Sequence, residues 1–321
     1  MDANQPALVT IFGGAGFVGT QIVQLLARKG HRIRVAMRRP DTALNLKALG
    51  AVGQIQPIQA NIRNAQSIAR AVKGADIVIN LVGVGFSRGK QTFDAVNNVG
   101  AGAVAAAAKA AGARHFVHMS AIGADAESAS LYASSKGKGE AAVLAAYPDA
   151  VIIRPSVIFG PGDGFFNLMA SLTRLFPVMP LIGGDSKFQP VYVGDVAEAF
   201  AAAAEGQVKT GRVYELGGPD VETHKALLER ILAETGRSRP LLPVSEGMGK
   251  LLALPLGLLP TPLLTADQVT LLQSDNLVSE AAISEKRTLA AFGIVATPMS
   301  AVLPTYLWRF RRNGQYDRQT A

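Results

Sequence analysis

Short apolar runs alternate with amphipathic stretches through the first half of the chain. "ALVTIF" (7–12) reads as a strand and "GFVGTQIVQLLARKG" (16–30) as a helix with one apolar face, closed by Gly30. "RIRVAM" (32–37) is a second strand, and "GQIQPIQA" (53–60), "ADIVINLVG" (75–83), "RHFVHMS" (114–120) and "AVIIRP" (150–155) continue the series. Helical stretches fit between them, among them the alanine-rich "GAVAAAAKAAG" (102–112). Strands separated by helices demand a parallel sheet covered on both faces, so the pattern predicts a doubly wound α/β fold.

After Pro155 the pattern loosens, with glycines and prolines breaking up the chain to about residue 188. "QPVYVGDVAEAFAAAAE" (189–205) reads as a strand end and a helix with Asp195 as its N-cap, and "RVYELGG" (212–218) as another strand. The rest reads as helical with proline-rich joints. The expected division is a first domain over 1–155, rejoined at about 189–218, and a smaller C-terminal domain over 156–188 and 219–303. A basic, aromatic tail follows over 304–321.

Composition narrows the chemistry. The chain is 49% hydrophobic and 17% charged, enough to bury a large core, and it has no cysteine, which excludes disulfides, thiolate metal sites and a cysteine nucleophile. His115 and His118 sit three apart in one strand and so on opposite faces, and the expectation is no metal site. The formal charge of +8 would suit an acidic or phosphorylated partner, yet no nucleic-acid-binding pattern accompanies it, and no nucleic acid is expected. The first strand begins about six residues after Met1, leaving no room for a signal peptide. "LLALPLGLLPTPLLTA" (251–266) is apolar but broken by three prolines, too short for a span of about twenty residues. A cytoplasmic location in a bacterium is therefore expected.

The sharpest motif is "IFGGAGFVG": Gly13, Gly16 and Gly19 follow a strand and open a helix. That context brings a pyrophosphate against backbone amides and the positive end of a helix dipole, making the fold class Rossmann-like. About twenty residues on, where an NAD-selective site carries Asp or Glu, "VAMRRP" offers Arg38 and Arg39 instead. Two guanidiniums and no carboxylate favour a 2′-phosphate, so NADP(H) is expected over NAD(H). Tyr132 and Lys136 in "LYASSKGKGE" stand one helical turn apart and can meet one ligand.

The glycine spacing, the Tyr132/Lys136 pair, "RPSVIFGPGD" (154–163), "VNNVGAG" with Asn97 and Gly100, and "QPVYVGDVA" together resemble the extended short-chain dehydrogenase/reductase superfamily. That resemblance implies cofactor contacts at Gly13, Gly16, Phe17, Val18, Gly19, Arg38, Arg39, Asn61, Ile62, Leu81, Val82, Gly83, Tyr132, Lys136 and Pro155. Asn61 stands where relatives usually place an aspartate on the adenine. It also implies Tyr132 as general acid or base and Lys136 as both its pKa modifier and a ribose ligand. Ser120 is present, but Ala121 aligns with the hydroxyl that would position a substrate oxygen, so Ser120 is a vestigial third member.

"LTADQVTLLQSDNLVSE" (264–280) and "GPGDGFFNLMASLTRLFPVMPLIGG" (160–184) resemble an atypical branch, the nucleotide-binding accessory subunit of respiratory complex I (alpha subcomplex subunit nine) with its alphaproteobacterial counterparts. The branch implies a resident NADPH, complex I subunits as partners near the junction of the membrane and peripheral arms, and no independent turnover. It places the chain peripherally on the cytoplasmic side of the inner membrane. The leucine/proline stretch and "YLWRFRRNGQYDR" (306–318) would then meet partners or lipid head groups. A freestanding NADP-dependent reductase, dehydrogenase or epimerase using the Tyr–Lys pair is the alternative.

Overall fold

The structure, a computed structural model, describes residues 6–316. In chain order the first part runs β1 (Leu8–Phe12), α1 (Phe17–Arg28), β2 (Arg32–Met37), β3 (Ile55–Gln59), α2 (Ala65–Val72) and β4 (Ile77–Asn80). There follow α3 (Val99–Ala110), β5 (His115–Met119), α4 (Leu131–Ala146) and β6 (Val151–Pro155). The middle holds β7 (Ile158–Phe159), α5 (Phe165–Leu175), β8 (Met179–Ile182), β9 (Lys187–Phe188), β10 (Val191–Tyr192), α6 (Val193–Ala204) and β11 (Arg212–Leu216). Last come β12 (Glu222–Thr223), α7 (His224–Glu234), β13 (Leu241–Val244), α8 (Glu246–Gly257), α9 (Ala266–Leu271), α10 (Glu280–Ser284) and α11 (Met299–Leu307).

The chain divides into two compact units. The first comprises Met1–Pro155, Gly194–Leu216 and Ser279–Val295. Its sheet has seven strands in the order β11-β6-β5-β4-β1-β2-β3, every neighbouring pair parallel. This is the doubly wound arrangement that the strand–helix alternation predicts. The order reverses between β1 and β4, and a crevice opens beyond their carboxyl ends, where this architecture takes its ligands. Apolar residues face inward from strands and helices alike, with Phe12, Val78, Val104, Phe116 and Ile152 all buried.

Two details depart from the sequence reading. Helix α6 already begins at Val193, so Asp195 lies inside its first turn, not at the N-cap; its carboxylate still faces the positive end of the helix dipole. Residues 279–295, expected in the smaller domain, belong to the first unit. There Glu215 N–H donates to Arg287 O at 2.9 Å and Arg287 Nη1 donates to Val213 O at 2.5 Å. The segment thus covers the open edge of β11, which would otherwise offer unpaired backbone groups.

The second unit comprises Ser156–Val193, Gly217–Val278 and Ala296–Ala321. Three two-stranded pairings, β10 with β7, β12 with β9 and β13 with β8, frame a core of Phe159, Phe166, Leu227, Leu303 and Leu307. Its anchor is buried Asp163, which accepts from Phe166 N–H at 2.7 Å and from the Tyr306 hydroxyl at 2.5 Å. The C-terminal stretch read as a tail is therefore partly core: Tyr306, Leu307 and Phe310 are buried, and Phe310 is not available for docking. The last residues of that reading, 317–321, lie outside the described residues. Among the described residues no helix is long and apolar enough to cross a membrane.

Candidate nucleotide site

The first βα turn is held by backbone contact. Gly16 N–H donates to Gly13 O at 3.0 Å, and Gly13 takes φ of +80°, a conformation that L side chains rarely adopt. A Cβ on Gly19 would lie 2.4 Å from Gly13 O and 2.6 Å from Gly14 Cα, so only glycine lets α1 start this close to the turn. Phe17 and Val18 occupy its first turn with Gly19, and the amides of a first turn have no acceptor within their own helix.

Beside this turn is a cavity of about 370 Å³ beyond the ends of β1, β2 and β4. The structure brings together on its wall Gly13 and Gly16, Arg38 and Arg39, Asn61 and Ile62, and the run Leu81, Val82 and Gly83. Arg63 joins them, so the lining carries three guanidiniums and no carboxylate. Such a wall is matched to a phosphate-bearing ligand. Arg38 and Arg39 are exposed, and Arg38 Nη1 donates to Gln91 Oε1 at 2.5 Å. The Asn61 side chain is turned back on its own loop, its Oδ1 accepting from Arg63 N–H at 3.0 Å. Gln91 was not legible in the sequence: it lies 53 residues from Arg38, and no local signal marks it.

Tyr132, Lys136, Ser120 and Pro155 do not line this cavity. Lys136 nevertheless reaches its border, because a Cβ built on Gly83 would lie 3.1 Å from Lys136 Nζ. Helix α4 carries the pair. Ser130 caps it by accepting from Ala133 N–H at 3.2 Å, which puts Tyr132 in the first turn and Lys136 one turn on. Glycine inside a helix costs roughly 1 kcal/mol. Here the reason is close approach: a Cβ on Gly139 would lie 2.0 Å from Asn97 O. Asn97 also bridges Val84 and α4, accepting from Val84 N–H at 2.9 Å and donating to Ser135 Oγ at 3.0 Å.

The electrostatics of the pair follow from burial. Lys136 is buried, donates to Met119 O at 3.1 Å, and is pulled down to about 8 by loss of water, with Glu140 opposing the shift. Tyr132, partly buried, is pushed up to about 12 by the same loss of water. Lys136 Nζ lies 6.0 Å from the centre of the Tyr132 ring. His118 falls to about 3, chiefly from burial and then from the Lys136 charge, and is neutral. Its Nδ1 meets Asn80 Nδ2 at 3.2 Å, while its Nε2 and the Oγ of Ser120, just past the end of β5, have no partner in the structure. Arg154 secures the far side of α4: Nε and Nη2 grip the Glu140 carboxylate at 2.8 and 2.6 Å, and Nη1 meets Glu215 at 3.3 Å.

Comparison with known proteins comes to the same region. Residues 9–217 match the NAD dependent epimerase/dehydratase family. The chain is 35% identical over 290 residues to NADH dehydrogenase (ubiquinone) 1 alpha subcomplex subunit 9, mitochondrial, of Arabidopsis thaliana, covering 86% of this chain and 72% of that one. It is 36% identical over 206 residues to a ceramide reductase of Caulobacter vibrioides, covering 63% of this chain and 62% of that one. In fold it resembles the Bordetella bronchiseptica enzyme WbmH in complex with NAD+, with a TM-score of 0.72 at 17% identity over 97% of this chain and all of that one.

The depressed value at Lys136 has a consequence for stability. An unfolded lysine keeps its proton to about 10.4, whereas Lys136 in the fold releases it near 8. Between those values the unfolded chain binds more protons, so stability rises with pH. Relative to Lys136→Met, the native chain should gain about 2 kcal/mol between pH 8 and pH 10. Urea unfolding at the two pH values measures this, and parallel behaviour of both proteins would contradict the buried cation.

Proposed function

This chain belongs to the NAD dependent epimerase/dehydratase family, and on that footing we propose that it is an NADP(H)-holding accessory subunit of respiratory complex I, without turnover of its own. The likeness to alpha subcomplex subunit 9 across 86% of the chain carries the reading. In this reading other complex I subunits are its partners, and it sits peripherally on the cytoplasmic side of the inner membrane with lipid head groups in reach.

The residues present fit such a nucleotide. The turn at Gly13 and Gly16 would seat the pyrophosphate, Arg38 and Arg39 the 2′-phosphate, and Leu81 to Gly83 the adenosine side. Lys136, at the border of the cavity, would hold the nicotinamide ribose. A bound dinucleotide supplies hydride chemistry. The proton chemistry beside it is poorly poised, because Tyr132 is pushed up to about 12 where a general base needs a value near neutrality. Ala121 adds no hydroxyl to compensate. These features support retention of the nucleotide over turnover.

The likeness to the ceramide reductase, together with an intact Tyr132/Lys136 pair, favours one second reading, a freestanding NADP-dependent reductase. There Tyr132 would exchange the proton of a carbonyl/alcohol pair and Lys136 would lower its pKa once a ligand orders both.

Gentle solubilisation of membranes, native electrophoresis and mass spectrometry of the NADH-oxidising band should find this chain in that band; its absence would end the accessory-subunit reading. For the cofactor, a variant carrying Arg38→Ala and Arg39→Ala should lose about tenfold in NADPH affinity with little change for NADH, and equal losses would remove the 2′-phosphate assignment. If the purified chain consumes NADPH with a carbonyl substrate, Tyr132→Phe should cut that rate about a hundredfold. An unchanged rate would exclude Tyr132 as the proton donor.

A further inference from the structure

The loop between β4 and α3 brings one residue to the arginines of the nucleotide cavity. Arg88 and Gln91 bond reciprocally, Arg88 N–H to Gln91 O at 2.9 Å and Gln91 N–H to Arg88 O at 3.0 Å, closing a two-residue hairpin over Gly89 and Lys90. Gly89 takes φ of +54° at the first central position, where such a turn favours glycine. Beyond it Phe93 N–H donates to Ser87 Oγ at 3.0 Å and Ala95 N–H to Thr92 Oγ1 at 3.0 Å, so the chain on both sides of Gln91 is pinned. The backbone leading to Arg38 is fixed as well, because Met37 O accepts from Ala60 N–H at 2.7 Å.

Three guanidiniums line the cavity, those of Arg38, Arg39 and Arg63. Among the described residues only that of Arg38 has a side-chain partner, its Nη1 donating to Gln91 Oε1 at 2.5 Å. A guanidinium has donors and no acceptor, so the amide must present its oxygen, and the contact uses one N–H of five. A side chain already held in place loses less conformational freedom when a ligand binds than a free one does. The holding group is also neutral. An amide oxygen leaves the guanidinium its full charge for an anion, whereas a carboxylate at the same position would neutralise it. Gln91 itself lines the cavity, so a carboxylate there would also add a negative charge to a wall that has none.

We propose that Gln91 determines the specificity of the nucleotide site: its neutral amide holds Arg38 at the cavity as a charged donor for a 2′-phosphate, and a carboxylate in its place would abolish the preference for the phosphorylated ribose. Gln91 acts through Arg38 and is a positioning residue. The inference rests on the NADP(H) reading above, and not on membership of complex I or on the absence of turnover.

The test uses the purified full chain and two fragments, adenosine 2′,5′-bisphosphate and 5′-AMP, which differ by the 2′-phosphate alone. Calorimetric titration gives the ratio of their affinities, which in the native chain should favour the bisphosphate about tenfold. In Gln91→Glu that ratio should fall to about one. In Gln91→Ala it should fall about threefold, and in an Arg38→Ala background Gln91→Ala should change nothing further, because the two residues act as a unit. Saturable 5′-AMP binding verifies that each variant is folded, and the alanine cycle decides alone should Gln91→Glu fail that check. Equal affinity of the native chain for both fragments would remove the 2′-phosphate reading, and this proposal with it. A native preference for the bisphosphate that Gln91→Glu preserves, or a loss in Gln91→Ala that is the same with and without Arg38, would overturn the role of Gln91 alone.

Discussion

Backbone lies directly against backbone at two helices, and the nucleotide site of the first unit depends on both contacts. At α1 the approach of Gly19 to the 13–14 turn leaves no room for a Cβ, and at α4 the approach of Gly139 to Asn97 leaves none either. Side chains at these points would push each helix outward by at least an atom's width. The first contact aims the start of α1 at the crevice where the strand order reverses. The second seats α4 so that Lys136 reaches Gly83 on the border of the same cavity. Two glycine-containing helices thus accept a local cost in helix propensity for a placement that larger residues could not achieve.

Charge is distributed around that geometry with a clear division. The cavity wall holds three arginines and no carboxylate, while Glu140 of α4 and Glu215 of β11 are both held by Arg154. Glu140 therefore has two roles. It anchors the helix through Arg154, and one turn from Lys136 it offsets part of what burial takes from the ammonium. Bound to Arg154, it supports the cation without competing for the ligand.

The two units treat buried polarity differently. In the first, His118 Nε2 in β5 and Ser120 Oγ just past its end stand without partners in the structure, beside a lysine whose ammonium burial has made easier to deprotonate. In the second, Asp163 is saturated by the Tyr306 hydroxyl and backbone amides, whereas His224 Nε2 is buried without a partner in the structure. A saturated buried group stabilises and specifies the fold; an unsaturated one keeps capacity for a ligand.

Local pattern was sufficient for much of this protein. The β-strand runs, the parallel sheet, the glycine turn and the one-turn spacing of Tyr132 and Lys136 follow from periodicity and residue type, which act within a few positions of the chain. Arg38 and Arg39 were legible for the same reason, since they stand at the end of the strand beside the glycine turn. Tertiary structure alone decided the pairing of Arg38 with Gln91, the attachment of 279–295 to the edge of β11 and the burial of Tyr306 and Phe310. It alone also set His224 on the wall of an apolar cavity. Each of these joins residues distant in sequence, and which of them meet depends on how helices and strands pack, a property that no window of the chain contains.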